Sequence, residues 1–163
     1  MDYSFTLKYQ LFGSDLDTDA LIERLGAAGC DDALPGIGQS GRLALAFTRT
    51  ASDADSALQS ALSDVRQAAP NAQLIEVAPD LVGLTDVADL VGVSRQYMRK
   101  LMLANPGSFP APIHEGSASI WHLADILLWL KSRGYEIAVD LLDLAKAALL
   151  ANVAKEQQRL AHL

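Results

Sequence analysis

A helical segment, a glycine and a second helical segment follow one another between Leu84 and Met102, and this succession constrains the fold more than any other part of the sequence. Thr85 can cap the first helix, whose apolar residues recur at helical spacing. Gly92 can adopt the left-handed conformation that ends a helix. Ser94 is placed to cap the second helix. Because the link between the helices is very short, the pattern predicts a tight helix-turn-helix.

The second predicted helix, residues 94–102, divides into an apolar face and a basic face. Met98, Leu101 and Met102 recur at the spacing of a buried face. The outward side chains include no acid and are Arg95, Gln96, Arg99 and Lys100. Arg and Gln match the edges of guanine and adenine, whereas Lys is suited to phosphate. The pattern favours DNA binding, and the alternative is the solvated basic face of an all-helical interaction module.

Two extended runs and a further helix are predicted after the helix-turn-helix. The runs are residues 109–114 and 119–121, and the short link at 115–117 predicts a β-hairpin. The next segment, 122–130, has apolar residues at helical spacing. We expect Trp121 and Trp129 to lie in the core rather than to stack on bases, because both fall on apolar faces.

The run from Leu84 to Leu130 resembles the winged helix-turn-helix of phage excisionases, of AlpA-type prophage regulators and, more remotely, of MerR-type activators. The shared features are a Leu-Thr start, a Val-Ser-Arg opening of the recognition helix, a Phe-Pro-x-Pro strand and a final helix that contains Trp. The resemblance covers fewer than a third of the 163 residues. It implies a domain that binds double-stranded DNA.

The resemblance also implies which residues contact DNA. On the recognition helix they are Ser94, Arg95, Gln96, Tyr97, Arg99 and Lys100. In the wing, between His114 and Ser119, the candidates are His114 and Ser117. The related proteins often carry Arg or Lys in the wing, and this chain has neither there. Wing contacts are therefore expected to be limited to backbone amides and hydroxyls.

The first 80 residues alternate between strand and helix patterns. The predicted strands are 3–11, 43–49 and 74–77, a loop or short strand is expected at 33–37, and the predicted helices begin near Asp17 or Thr18 and at Ser52. The order βαββαβ packs most simply as an antiparallel four-stranded sheet with two helices on one face, which is a ferredoxin-like arrangement.

The sequence therefore predicts an α+β fold in three parts. Residues 1–80 form the ferredoxin-like domain, for dimerisation, ligand sensing or partner docking. Residues 81–135 form the winged helix-turn-helix domain, and residues 136–163 form a C-terminal helical tail. One helix-turn-helix reads only a few base pairs, so we expect a homodimer on a pseudo-palindromic site. The apolar tail is the first candidate for the dimer contact.

The net charge of −7 is unevenly distributed along the chain. Residues 1–80 carry 5 basic and 12 acidic residues, whereas residues 81–135 carry 5 and 4. The acidity therefore belongs to the N-terminal part, where it could dock another protein or reduce non-specific attraction to phosphate. The charge balance of residues 81–135 is compatible with DNA binding.

Several patterns that suggest other chemistry are weak. The run Gly36–Gly41 matches a phosphate-loop pattern by letter, but a strand pattern follows it instead of the required helix. Asp31 and Asp32 are typical of a solvated loop. Cys30 is the only cysteine, which excludes an internal disulfide. The three histidines, His114, His122 and His162, are too scattered for metal-ligand spacing. We expect no enzyme activity, no cofactor and no metal.

The N-terminus has neither the basic region nor the apolar run of a signal peptide, and no stretch is apolar enough to span a membrane. We expect a cytoplasmic protein without a membrane partner. The leading hypothesis is a sequence-specific transcription regulator, a dimeric repressor that reads the major groove with helix 94–102. Two alternatives stay open. One is a protein-interaction adaptor or antitoxin-like partner that uses the winged domain as a scaffold, and the other is a ligand-responsive regulator acting through residues 1–80.

Overall fold

The computed structural model describes every residue from Met1 to Leu163 and has the mixed α+β composition predicted from the sequence, with six α-helices and two antiparallel sheets. The chain divides into two compact units. Unit 1 consists of residues 1–78 and 150–163, and unit 2 consists of residues 79–149. The tail at 136–163 does not form a unit of its own, since its residues are divided between these two.

Unit 1 contains a four-stranded sheet and two helices that follow the predicted order. The elements are β1 (Asp2–Gln10), α1 (Thr18–Ala27), β2 (Ala33–Gly36), β3 (Arg42–Thr50), α2 (Ala54–Ala68) and β4 (Gln73–Ala78). A short 3-10 helix at Gly13–Leu16, which the sequence pattern did not predict, precedes α1. The strands lie in the order β2-β3-β1-β4, and each neighbouring pair is antiparallel.

One face of this sheet is buried, as strict alternation predicts. Phe5 lies opposite Phe47, and their rings stack with centroids 5.3 Å apart. Leu7 is fully buried and has Leu45 and Val77 as its neighbours on the adjacent strands. The buried faces of α1 and α2 complete the core with Leu21, Leu25, Ala57, Leu58, Ala61 and Val65.

Arg49, at the end of β3, holds a buried ion-pair network. Its guanidinium donates to both carboxylate oxygens of Asp32, at 2.7 and 2.9 Å, and to Asp64 at 2.9 Å. It also donates to the Ser60 hydroxyl and the Gly29 carbonyl, so all five of its N–H groups are used. The expectation of a solvated loop pair is wrong for Asp32, which is half-buried in this network. The hydrogen bonds from Arg49 lower the pKa of Asp32 below its ordinary value.

The second part of α6 (Val139–Ala161) belongs to unit 1 from Leu150 onward and covers the outer edge of β4. The Asn152 side chain donates to the Val77 carbonyl and accepts from the Val77 N–H, both at 2.8 Å. Lys155 donates to the Ile75 carbonyl at 2.6 Å. The helix thereby satisfies backbone groups that an edge strand otherwise leaves unpaired.

Unit 2 contains three short strands and three helices around a core of its own. The elements are β5 (Leu81–Val82), α3 (Leu84–Val91), α4 (Arg95–Ala104), β6 (His114–Glu115), β7 (Ser119–His122), α5 (Leu123–Ser132) and the first part of α6. The strand order is β5-β7-β6. Phe109 makes edge contacts with Trp121 and Trp129, with ring centroids 6.0 and 5.0 Å apart. Both tryptophans are buried, so the prediction that they are core residues is confirmed.

The first strand of the predicted hairpin is much shorter than expected. Residues 109–113 form no strand, and only His114 and Glu115 pair with β7. Pro110 and Pro112 have no backbone N–H and cannot donate to a ladder. The carbonyl of Pro110 instead accepts the indole N–H of Trp121 at 2.9 Å.

Two predicted helix caps are also wrong. The N-cap of α2 is Asp53 rather than Ser52, and its carboxylate accepts a backbone N–H of the first turn at 2.7 Å. The N-cap of α3 is Gly83 rather than Thr85, and the Asp86 carboxylate accepts the Gly83 N–H at 3.0 Å. In both places a carboxylate occupies the end of the helix that the helix dipole makes positive.

Candidate nucleic-acid interface

The turn between α3 and α4 has the predicted construction. Gly92 ends α3 with φ of +78°, and its N–H donates to the Ala88 carbonyl at 2.9 Å. The Ser94 hydroxyl accepts the Tyr97 N–H at 3.1 Å and caps α4. Val93, between them, packs against the core of unit 2. The predictions for Gly92 and Ser94 are confirmed.

The core of unit 2 fixes which face of α4 points outward. Met98 is fully buried, and Leu101 and Met102 pack against the same core while half-buried. The other face is exposed and carries Arg95, Gln96, Arg99 and Lys100. The predicted division of this helix into a buried and an exposed face is therefore confirmed.

The cations of this exposed face have no partner within the chain. Arg95, Arg99 and Lys100 make neither an ion pair nor a hydrogen bond. In unit 1, by contrast, Lys8 is paired with Glu76 at 2.9 Å and Arg24 with Asp15 at 2.6 Å. Cations that no carboxylate neutralises are the ones available to phosphate oxygens and base edges.

The outward face of α4 also contains a shallow hollow of about 450 Å³. It is lined by Gln96, Arg99, Lys100, Leu103 and Ala104. Leu103 is 61% exposed and lies beside the polar side chains of this hollow. An apolar group beside a cationic row can contact the methyl group of thymine. Leu103 is absent from the predicted site because the predicted helix ended at Met102, whereas α4 extends to Ala104.

Tyr97 differs from the other predicted contacts because its hydroxyl already has a partner. It lies 2.5 Å from the hydroxyl of Tyr135, in the segment that follows α5. This hydrogen bond raises the pKa of Tyr135 above its ordinary value. Tyr97 therefore ties the start of α4 to that segment, and only the remaining surface of its ring is free.

Arg133 forms a second tie between α4 and the segment after α5. Its guanidinium lies 4.8 Å from the ring centroid of Trp129 and donates to the side chain of Asn105, the residue at which α4 ends. Arg133 and Tyr135 lie beyond residues 84–130, and no local sequence pattern distinguished them. Together they contact α4 near both of its ends.

The wing lacks fixed positive charge. His114 and Ser117 are both exposed at the hairpin, as predicted for contact residues. The tip is tight, since a Cβ at Gly116 would lie 2.9 Å from Nε2 of His114. No Lys or Arg occurs between Ala104 and Leu130, and Glu115 is exposed. The Lys and Arg residues nearest to the wing along the chain therefore belong to α4 and to the end of α5.

The structure also shows the surroundings of three other features of the sequence, which are His122, the glycine run 36–41 and Cys30. Nδ1 of His122 lies 2.7 Å from the buried carboxylate of Asp80. The glycine run 36–41 joins the antiparallel strands β2 and β3, and no helix follows it. Cys30 is buried, and burial raises the pKa of its thiol to about 11. A thiol with so high a pKa is mostly protonated near neutral pH and is a poor nucleophile.

Comparison of the chain with protein-family models, with curated proteins and with solved structures finds no match in any of the three. No helix combines the length and the apolarity that crossing a membrane requires.

Proposed function

We propose that this protein is a sequence-specific DNA-binding transcription regulator that reads the major groove with α4. The observation that carries the proposal is the outward face of this helix. Arg95, Arg99 and Lys100 stand there exposed, without any acidic partner, on a helix that Met98 anchors in the core. An α-helix with this surface fits the width of the major groove.

The order of helices and strands within each unit supports the proposal. In unit 2 a helix-turn-helix is followed by a small hairpin and another helix, which is the element order of a winged helix-turn-helix domain. In unit 1 the βαββαβ order and the strand order β2-β3-β1-β4 are those expected of a ferredoxin-like fold. Domains of the first kind bind DNA in the families that residues 84–130 resemble.

The side chains of α4 are suited to different kinds of contact with DNA. Arg95 and Arg99 can each donate two hydrogen bonds to a guanine, and Gln96 can pair with an adenine. Lys100 is a compact charge suited to a phosphate. Ser94 supports these contacts through its cap at the start of the helix. His114 and Ser117 offer an imidazole and a hydroxyl for contacts in the wing.

The proposal includes a homodimer, because one α4 reads too few base pairs for a specific site in a genome. Two copies related by a two-fold axis would read half-sites on successive turns of the duplex. Binding of such a dimer over a promoter would repress transcription.

The test is fluorescence anisotropy at fixed salt with a duplex that the protein enriches from a random pool, and with a scrambled duplex. Arg95→Ala and Arg99→Ala should each weaken binding to the enriched duplex by about 1–3 kcal/mol and leave binding to the scrambled duplex less affected. Lys100→Ala should weaken both to a similar degree, because phosphate contacts carry no sequence information.

Lys146→Ala is the matched control, since Lys146 is an exposed lysine of unit 2 without an ion pair and outside α4. It should bind like the parent protein. Equal affinity of the parent for the two duplexes would contradict the proposal. That result, together with a single co-purifying protein, would favour the adaptor or antitoxin-like alternative.

A further inference from the structure

Unit 1 contains a cavity of about 890 Å³, a volume within the range of small-molecule sites. It lies among the end of β1, the last turns of α2, the start of β4 and the C-terminal part of α6. Its apolar wall is formed by Leu62, Ala69, Pro70, Leu74, Ala151 and Ala154. The cavity thus offers both contact area for an apolar body and, on its other walls, polar groups.

The charged groups of the cavity are mostly positive. Arg42, Arg66, Lys155 and Arg159 line it, and the only acidic residue among the lining side chains is Glu156. Unit 1 as a whole carries 7 basic and 12 acidic residues, so the cavity concentrates cations in a unit that is otherwise acidic.

Glu156 neutralises only part of this charge. It accepts hydrogen bonds from Lys155 at 2.8 Å and from Arg159 at 2.9 Å. These bonds lower the pKa of Glu156, so it is ionised at neutral pH. Arg42 and Arg66 are exposed, and their side chains have neither an ion pair nor a hydrogen bond within the chain. Two guanidinium groups are therefore left for an anion.

Tyr9 contributes a hydrogen-bond donor to the wall of the cavity. It lines the cavity and is only 5% exposed, yet its hydroxyl has no hydrogen-bond partner in the chain. Burial raises the pKa of Tyr9, and the positive charge of Arg66 partly opposes that change. No fully buried side-chain nitrogen or oxygen of the protein lacks a partner, so this hydroxyl is accessible from the cavity, and the protonated phenol can donate a hydrogen bond to a bound anion.

We infer that this cavity binds a small organic oxyanion, a carboxylate or a phosphate ester with an apolar body, through Arg42, Arg66 and the hydroxyl of Tyr9. The guanidinium groups bind the anionic head, Tyr9 donates a hydrogen bond to it, and the wall around Leu62 and Leu74 contacts the apolar body. The site lies wholly within unit 1, so the inference does not depend on DNA binding by unit 2.

The test is isothermal titration calorimetry of the full chain without DNA, in a buffer free of carboxylate and phosphate. Phenyl phosphate and benzoate are the probes for the two kinds of head group, and phenol is the neutral control. At least one of the two anions should bind at least tenfold more tightly than phenol. Failure of both anions to bind at concentrations up to ~10 mM would overturn the inference.

Three variants assign the binding to this cavity. Arg42→Gln and Arg66→Gln should each weaken the anion about tenfold, because each removes a charge-assisted hydrogen bond. Tyr9→Phe should weaken it about fivefold, and urea unfolding of each variant verifies that the fold is retained. Lys146→Gln and Arg99→Gln should bind the anion like the parent. Undiminished binding by the double variant Arg42→Gln/Arg66→Gln would overturn the inference, whatever the protein does with DNA.

Discussion

Arg49 is a buried cation of unit 1 whose side chain donates five hydrogen bonds. It continues the alternation of the buried residues Leu43, Leu45 and Phe47 in β3, so the strand pattern places its side chain on the buried face of the sheet. A charge at a buried position requires partners, and Asp32 and Asp64 supply them. The sequence pattern indicates that Arg49 is buried. It does not identify Asp32 and Asp64 as its partners, because these residues lie in a loop and in α2.

Arg49→Met should destabilise unit 1 by about 2–3 kcal/mol. The substitution retains an apolar stem but leaves Asp32 and Asp64 without their counter-charge, and breaking such a pair from one side costs more than the pair contributes. Urea unfolding monitored by circular dichroism measures the difference. Arg99→Met, which removes an exposed arginine without an ion pair, should change the unfolding free energy by less than about 0.5 kcal/mol. A similar small change for Arg49→Met would contradict the assignment.

The same network makes stability depend on acid pH. The pKa of Asp32 is lower in the folded state than in the unfolded state, so its contribution is complete above its unfolded value and disappears as the pH falls through its folded value. The gap in unfolding free energy between the parent and Arg49→Met should therefore be constant from about pH 5 to 7 and shrink below about pH 4. Urea titrations at a series of pH values measure it, and a gap that widens on acidification would be inconsistent with this network.

At the level of elements, the periodicity of apolar residues predicted most of the helices and strands but not the very short strands. The strands and helices of unit 1 match the alternating and helical patterns because each has one buried face. The two-residue strand β5 is too short to have a period. Residues 109–113 look extended, but their prolines cannot donate to a ladder. The basic face of α4 could be predicted from local sequence. The cavity of unit 1 could not, since Tyr9, Arg42 and Arg66 are distant in sequence.

The Asn152 side chain of α6 hydrogen-bonds to Val77 of β4, so removing this side chain should weaken β4 locally. Asn152→Ala should destabilise the fold by about 2–3 kcal/mol, because it leaves the N–H and the carbonyl of Val77 without partners. Amide hydrogen exchange should report faster exchange at Val77. Gln157→Ala, an exposed position on the same helix, is the control and should leave both measurements unchanged. Unchanged protection of Val77 in Asn152→Ala would show that the helix does not hold this edge.

At the level of the whole molecule, net charge cannot drive DNA binding. Unit 2 itself carries 6 basic and 8 acidic residues, so under the proposed function phosphate is attracted by the free cations of α4, among which Lys100 is the phosphate contact. The salt dependence of binding should consequently be modest, with a slope of log affinity against log salt no steeper than about −3 per protomer, the value reached if all three cations displace counterions.

The slope can be measured by anisotropy over a series of salt concentrations. Lys100→Gln should make it shallower by about 1 per protomer, and Lys146→Gln should leave it unchanged. A parent slope much steeper than about −4 per protomer would mean that cations outside α4 carry the binding.

Selection of bound duplexes from a random DNA pool tests recognition by α4 most directly. The parent protein should enrich one motif whose two inverted half-sites are spaced by about one helical turn or a multiple of it. Arg95→Ala/Arg99→Ala should lose the motif while keeping the folded circular dichroism spectrum. A pool that stays random with the parent protein, or a motif that survives unchanged in the double variant, would contradict recognition by α4.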